Sequence, residues 1–330
     1  MKLRRVKNLT LLISGVILII GLILGIYMYN AALENRKSYT FTPPTARFGV
    51  WWWTVDNLEN LSYLDFAKKN GITEIYLNQH HLSVVNPNGE FGPVGLSEVV
   101  EPTRNFIRNA KERGIDVFLL LSNTGSWLTQ DDQARFHHIM LGFLSYQQLV
   151  EDDEQFLGIH FNIEPNQLVD DEGMRVWLKD GSYQEKLMQQ LIDFAVMVTD
   201  RYGDYTTFDW ATGFWWENFM VSYRSEYIPL HHAMILEANA THVMSFRNTA
   251  QEIVDVARGH LDFAKKMERE IFLGANIAST EGLEIDQFYH LGRAHLNAQL
   301  MLIPKVYEYE FLHLVIHEMS RWKHWTFERE

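Results

Sequence analysis

Cysteine is absent from all 330 residues, which excludes disulfides, thiolate metal sites and cysteine nucleophiles. Also missing are a G-x-S-x-G elbow for serine chemistry, a P-loop for phosphate, and a G-x-G-x-x-G after the first strand-like run for a dinucleotide. Basic charge is scarce and unevenly placed. Residues 1–37 hold six Lys or Arg against one Glu, so with −13 for the whole chain the remainder stands at −18. A body this acidic argues against nucleic acid, whose phosphates require a basic footprint. It suits solubility or a neutral or cationic ligand. No internal repeat or low-complexity tract occurs, and with 47% hydrophobic residues no segment is polar enough to read as disordered. The length is that of one large domain or two small ones.

The one long apolar run is Leu9–Met28, broken only by Gly, Thr10, Ser14 and Tyr27. Twenty residues of helix at about 1.5 Å each match a hydrocarbon core of about 30 Å, so the run predicts a transmembrane anchor over residues 9–28. Lys2, Arg4, Arg5 and Lys7 precede it, whereas Arg36 and Lys37 are offset by Glu34, so a basic cytoplasmic tail is expected over 1–8. The expected localisation is the cell membrane, single-pass, with the domain extracytoplasmic and the lipid bilayer as a partner. A cleaved signal peptide is the other reading, but the run is long for one and Asn30-Ala31-Ala32 is a poor cleavage site. Residues 29–46, with Pro43-Pro44, read as a tether.

From residue 47 to 330, β-rich apolar runs alternate with longer amphipathic segments, the pattern of a parallel sheet covered by helices. Strands are expected at Phe48–Trp53, Thr73–Asn78, Asp116–Ser122, Leu157–Glu164, Thr206–Ala211, His242–Phe246, Ile271–Asn276 and Phe311–His317. Between them fall helical patterns, among them Ser225–Ala238 and Thr249–Glu268. Eight strands over this length predict an α/β fold, a closed (β/α)8 TIM barrel. An open doubly wound sheet is the alternative. The fifth strand is the least patterned, and after His317 the last gap is left to a short segment near Met319–Trp325 or to the tether.

Such barrels carry their sites at the C-terminal strand ends. In the fourth strand the period of two places His160, Asn162 and Glu164 on one face and Ile159, Phe161 and Ile163 on the other. The apolar face suits the helices, so the polar row is expected to point inward. Each unpaired buried polar group costs about 1–3 kcal/mol, so such a row points to function, with a structural hydrogen-bond ladder as the other reading. The run ending in Glu164 resembles the chitinase-like family 18 glycoside hydrolases, whose fourth strand closes on D-x-x-D-x-D-x-E. The resemblance implies Glu164 as general acid, with Asn162 standing at the last Asp and His160 at the Asp before it. Met244-Ser245-Phe246 is similar to that family's M-x-Y, with Phe246 lacking the hydroxyl. A two-carboxylate glycosidase would add Glu281 or Glu217 as partner, each of which also reads as a solvated loop charge.

Trp52 and Trp53 close the first strand, Trp215 and Trp216 follow the fifth, and Trp322 follows the eighth. Their indoles are candidates to stack on sugar rings, with core packing as the alternative. Asn78, Asn123, Arg247, Asn276 and His317 are expected to complete a substrate-binding rim. The 14 histidines invite a metal hydrolase, but His80-His81, His137-His138 and His231-His232 are adjacent pairs that rarely chelate together. His160, His313 and His317 share a deep position, and packed, hydrogen-bonded rings are expected there, with no metal and no cofactor. The resulting expectation is a membrane-anchored, monomeric glycoside hydrolase-like protein acting on cell-envelope or environmental polysaccharide through Glu164. A carbohydrate-binding barrel without turnover is the alternative, and a metal-dependent barrel hydrolase the second.

Overall fold

A computed structural model describes residues 41–55, 57–78, 100–128, 130–170, 172–178, 181–279 and 284–325. Eight parallel strands close into a barrel: β1 (Phe48–Trp52), β2 (Glu74–Asn78), β3 (Asp116–Asn123), β4 (Gly158–Ile163), β5 (Thr207–Gly213), β6 (Ala240–Met244), β7 (Glu270–Asn276) and β8 (Leu312–His317). Each strand pairs with its neighbours in sequence, and β1 pairs with β8 through Phe48 beside Leu314 and Trp51 beside His317. Parallel pairing needs crossovers. They are supplied by α1 (Ser62–Lys69), α2 (Val100–Lys111), α3 (Gln130–Leu149), α4 (Gly181–Tyr202), α5 (Leu230–Glu237), α6 (Ala250–Val256), α7 (Arg258–Lys266) and α8 (Gly292–Val306).

Alternation along each strand builds two cores. Inward residues Trp51, Tyr76, Phe118, Leu120, Ala211, Ala240, Phe272 and Val315 fill the bore. Outward residues meet the helices: Phe161 of β4 packs against Phe136 of α3 and Phe194 of α4. Trp52 stacks on Tyr63 of α1, with ring centroids 4.4 Å apart, and meets Phe106 of α2. Glycine admits close approach at two places. A Cβ on Gly49 would lie 2.6 Å from the Tyr76 ring, and one on Gly158 would lie 2.2 Å from Thr207 Oγ1.

The last gap is covered by α9 (Met319–His324), the first of the two segments the sequence offered. Glu318 caps it by accepting from the Ser320 and Arg321 N–H groups, and the fully buried Trp322 meets Phe48 and Phe66 edge-on. Two expected helices differ. Ser225–Ala238 begins only at Leu230, because Met220–Tyr223 and Glu226–Pro229 pair as an antiparallel hairpin. Thr249–Glu268 is divided into α6 and α7 at Ala257.

The expected transmembrane anchor is corrected. Among the described residues no helix is long and apolar enough to cross a membrane, and the tail at 1–8, the span at 9–28 and the first part of the tether lie outside the described residues. Among the described residues the fold is the TIM barrel, and none of its helices spans a membrane. The single-pass localisation and the bilayer partner rested on that span and are withdrawn with it.

Candidate functional site

At the C-terminal end of the bore, the row predicted for β4 is present. His160 and Asn162 are buried in the interior, and Asn162 Nδ2 donates to Glu164 Oε1 at 2.8 Å. Trp53 continues the inward face of β1, and Asn78 Nδ2 donates to its carbonyl at 3.1 Å. Phe246 meets Trp51 edge-on at 6.4 Å and lies 5.7 Å from the His317 ring. His317 Nδ1 donates to Asn276 Oδ1 at 3.0 Å, and the same oxygen accepts from the Ala278 N–H. Burial disfavours the imidazolium and, with Arg321 nearby, holds the His317 pKa down at about 4. Trp53 Nε1, Asn78 Oδ1 and Asn162 Oδ1 are buried without a hydrogen-bond partner among the described residues.

Other predicted rim residues are placed elsewhere. Trp52 and Trp322 belong to the helical layer. Trp216 is buried, and Trp215 packs its indole over Gly213 beside the Phe214 ring. Asn123 shapes its own loop by accepting from the Gly125 and Trp127 N–H groups. Arg247 pairs with Asp286 at 2.6 Å and lies over the Phe214 ring. Glu217 is exposed, and its carboxylate lies against Gly259 of the helical layer. Glu281 lies outside the described residues.

Beneath the rim, the Trp51 indole lies across the bore, donating from Nε1 to His160 Nε2 at 2.9 Å. Its ring sits about equally far from His160 and His242 below and from Phe246 and His317 above, at 5.9 to 6.4 Å. Below it, one potential ligand atom from each of His160, Asp209 and His242 lies within 4.8 Å of the others, and all three residues are buried. Asp209 Oδ1 accepts from the Ala240 N–H, and Oδ2 stands 3.5 Å from His242 Nε2. His160 Nδ1, Asp209 Oδ2 and both His242 nitrogens have no hydrogen-bond partner among the described residues.

Desolvation dominates the electrostatics here. It raises the Asp209 pKa to about 7, against the pull of Arg47 and the Ala240 N–H, and it drives His160 and His242 well below the usual imidazole range. His313, with both nitrogens unpartnered, falls to about 4 for the same reason. The packed, hydrogen-bonded histidines expected from the sequence are thus packed but only partly bonded, and the cluster forms with β5 and β6 rather than with His313 and His317. Asp209 and His242 escaped the sequence reading, although each is the one ionisable residue of its strand and lies on the inward alternation.

The N-terminal end of the bore opens into a cavity of about 480 Å³ lined by Arg47, Glu74, Asp116, Asp209 and Glu270 among others. Arg47 pairs with Glu74 and Glu270 and lies 4.8 Å over the Phe272 ring. Tyr76 donates its hydroxyl to Glu74.

The expectation of Glu164 as general acid of a membrane-held hydrolase is corrected by this geometry. Its Oε1 is held by the Asn162 amide, Glu217 sits on the outer layer, and the titratable groups that converge are His160, Asp209 and His242.

No protein-family model and no curated protein matches the chain. Solved structures similar to it include a chitinase from Bacteroides thetaiotaomicron, 12% identical over 84% of this chain and 90% of that one, with a TM-score of 0.48. A GH18 chitinase from Pseudoalteromonas aurantia is 11% identical over 83% and 95%, with a TM-score of 0.44. An endoglucanase from Pseudomonas stutzeri is 12% identical over 82% and 84%, with a TM-score of 0.43. These likenesses carry no argument here, and the barrel rests on the strand order.

Proposed function

We propose that the C-terminal mouth binds a carbohydrate without hydrolysing it. The observation that carries this reading is the pairing of aromatic faces with unpartnered polar atoms of both kinds: Trp53 Nε1 as donor, Asn78 and Asn162 Oδ1 as acceptors. A sugar offers the complement of that surface. Its C–H face covers an aromatic ring, and its hydroxyls both donate and accept. Asn162 and Phe246 are two of the departures from the family 18 pattern, and they are substitutions that loss of turnover leaves behind.

The test is a panel of soluble polysaccharides and oligosaccharides offered to the full chain, with binding and reducing-end release measured side by side. The expected result is binding that Trp53→Ala weakens at least about tenfold, roughly 1.4 kcal/mol, with no release above the buffer rate by wild type or Glu164→Gln. Release by wild type that disappears in Glu164→Gln overturns the reading, as does binding unaffected by Trp53→Ala.

A further inference from the structure

We infer that the lower bore is a site for a divalent transition-metal ion, held by His160, Asp209 and His242 and reached from the N-terminal end of the barrel. The three residues come from adjacent strands, β4, β5 and β6, and stand close in register: His160 is the direct partner of Asp209, and His242 that of Ala211. Their potential ligand atoms already lie within 4.8 Å of one another. Buried polar atoms are normally satisfied, yet His160 Nδ1, Asp209 Oδ2 and both His242 nitrogens have no partner among the described residues. One ion bound between them meets a carboxylate oxygen of Asp209 and a ring nitrogen from each of His160 and His242.

The donor set selects the ion. Two imidazole nitrogens and one carboxylate oxygen suit zinc and its transition-metal neighbours, whereas magnesium and calcium favour all-oxygen sites. Trp51 N–H on His160 Nε2 leaves that ring's proton on Nδ1, so an ion bound at Nδ1 shifts the proton to Nε2, the ring stays neutral, and the Trp51 hydrogen bond is given up. The route is the 480 Å³ cavity, whose lining includes Asp209 itself together with Glu74, Asp116 and Glu270 against the single cation Arg47. Such a lining concentrates cations. Because Trp51 stands between this site and the mouth, the ion is assigned to holding three strands together and not to chemistry on a ligand at the rim.

The experiment uses the full chain without a histidine tag, dialysed against zinc and then against metal-free buffer, with bound metal counted by mass spectrometry. One zinc per chain is expected. His242→Leu and Asp209→Asn are expected to lower affinity at least about a hundredfold, while His313→Leu, which alters a buried histidine outside the cluster, leaves it within about threefold. X-ray absorption at the zinc edge of the wild-type protein gives a reading that does not depend on any variant folding. A first shell of mixed N and O at about 2.0–2.2 Å, two of the ligands being imidazole, is expected. Absence of retained zinc, an all-oxygen shell, or equal uptake by wild type and folded His242→Leu overturns the inference. Glycan binding at the mouth is measured separately with a chelator present, so failure at one end is distinguishable from failure at the other.

Discussion

His317 shows what a single side chain contributes at the rim. Its ring is kept neutral by burial, with a folded pKa of about 4 against an ordinary value near 6.5. Between those values the unfolded chain binds a proton that the folded chain refuses, so this stabilisation is complete above about pH 6.5 and is lost as pH falls toward 4. Urea midpoints of wild type and His317→Phe, measured from pH 4 to 8, are expected to converge toward acid. The residue's share is on the order of 2 kcal/mol after discounting its partial exposure. At this same scale the sequence was most informative where alternation was clean. The inward row His160, Asn162 and Glu164 followed from period two alone, whereas Glu217, one residue past the fifth strand's Trp pair, turned outward because a short 3-10 turn over Phe214–Asn218 breaks the alternation. Trp52 went to the helices for the opposite reason, since strict alternation sends neighbours of an inward Trp51 outward.

At the scale of elements, the eight strands were legible because each is a short apolar run bounded by turn residues and followed by a helical period. The hairpin was not, because its two central residues, Arg224 and Ser225, take φ of 44° and 73° without the Asn-Gly or Gly that usually marks such a turn. Ion pairs of Arg224 with Glu237 and Asp200 sit at this turn. The closing element α9 is a better test of packing. With six residues it has little intrinsic helicity, and Trp322, 1% exposed between Phe48 and Phe66, is its main hold on the barrel. Trp322→Ala is expected to cost about 3–5 kcal/mol in chemical denaturation. A loss below about 1 kcal/mol shows that the segment does not seal the gap between β8 and β1.

For the whole molecule, closure depends on joining the first strands to the last, and Arg47 does this directly by pairing with Glu74 of β2 and Glu270 of β7. Glu74 is 3% exposed, and burial raises its pKa despite the guanidinium beside it. Removing that guanidinium leaves a buried carboxylate without its cation, so Arg47→Ala is expected to destabilise the barrel by about 3 kcal/mol at pH 8. The loss should shrink toward pH 4, where Glu74 is protonated. Equal losses at both pH values count against this account.

Trp51 and the other inward side chains fill the interior between the two ends of the barrel. A substitution that reshapes one opening is therefore expected to leave binding at the other unchanged.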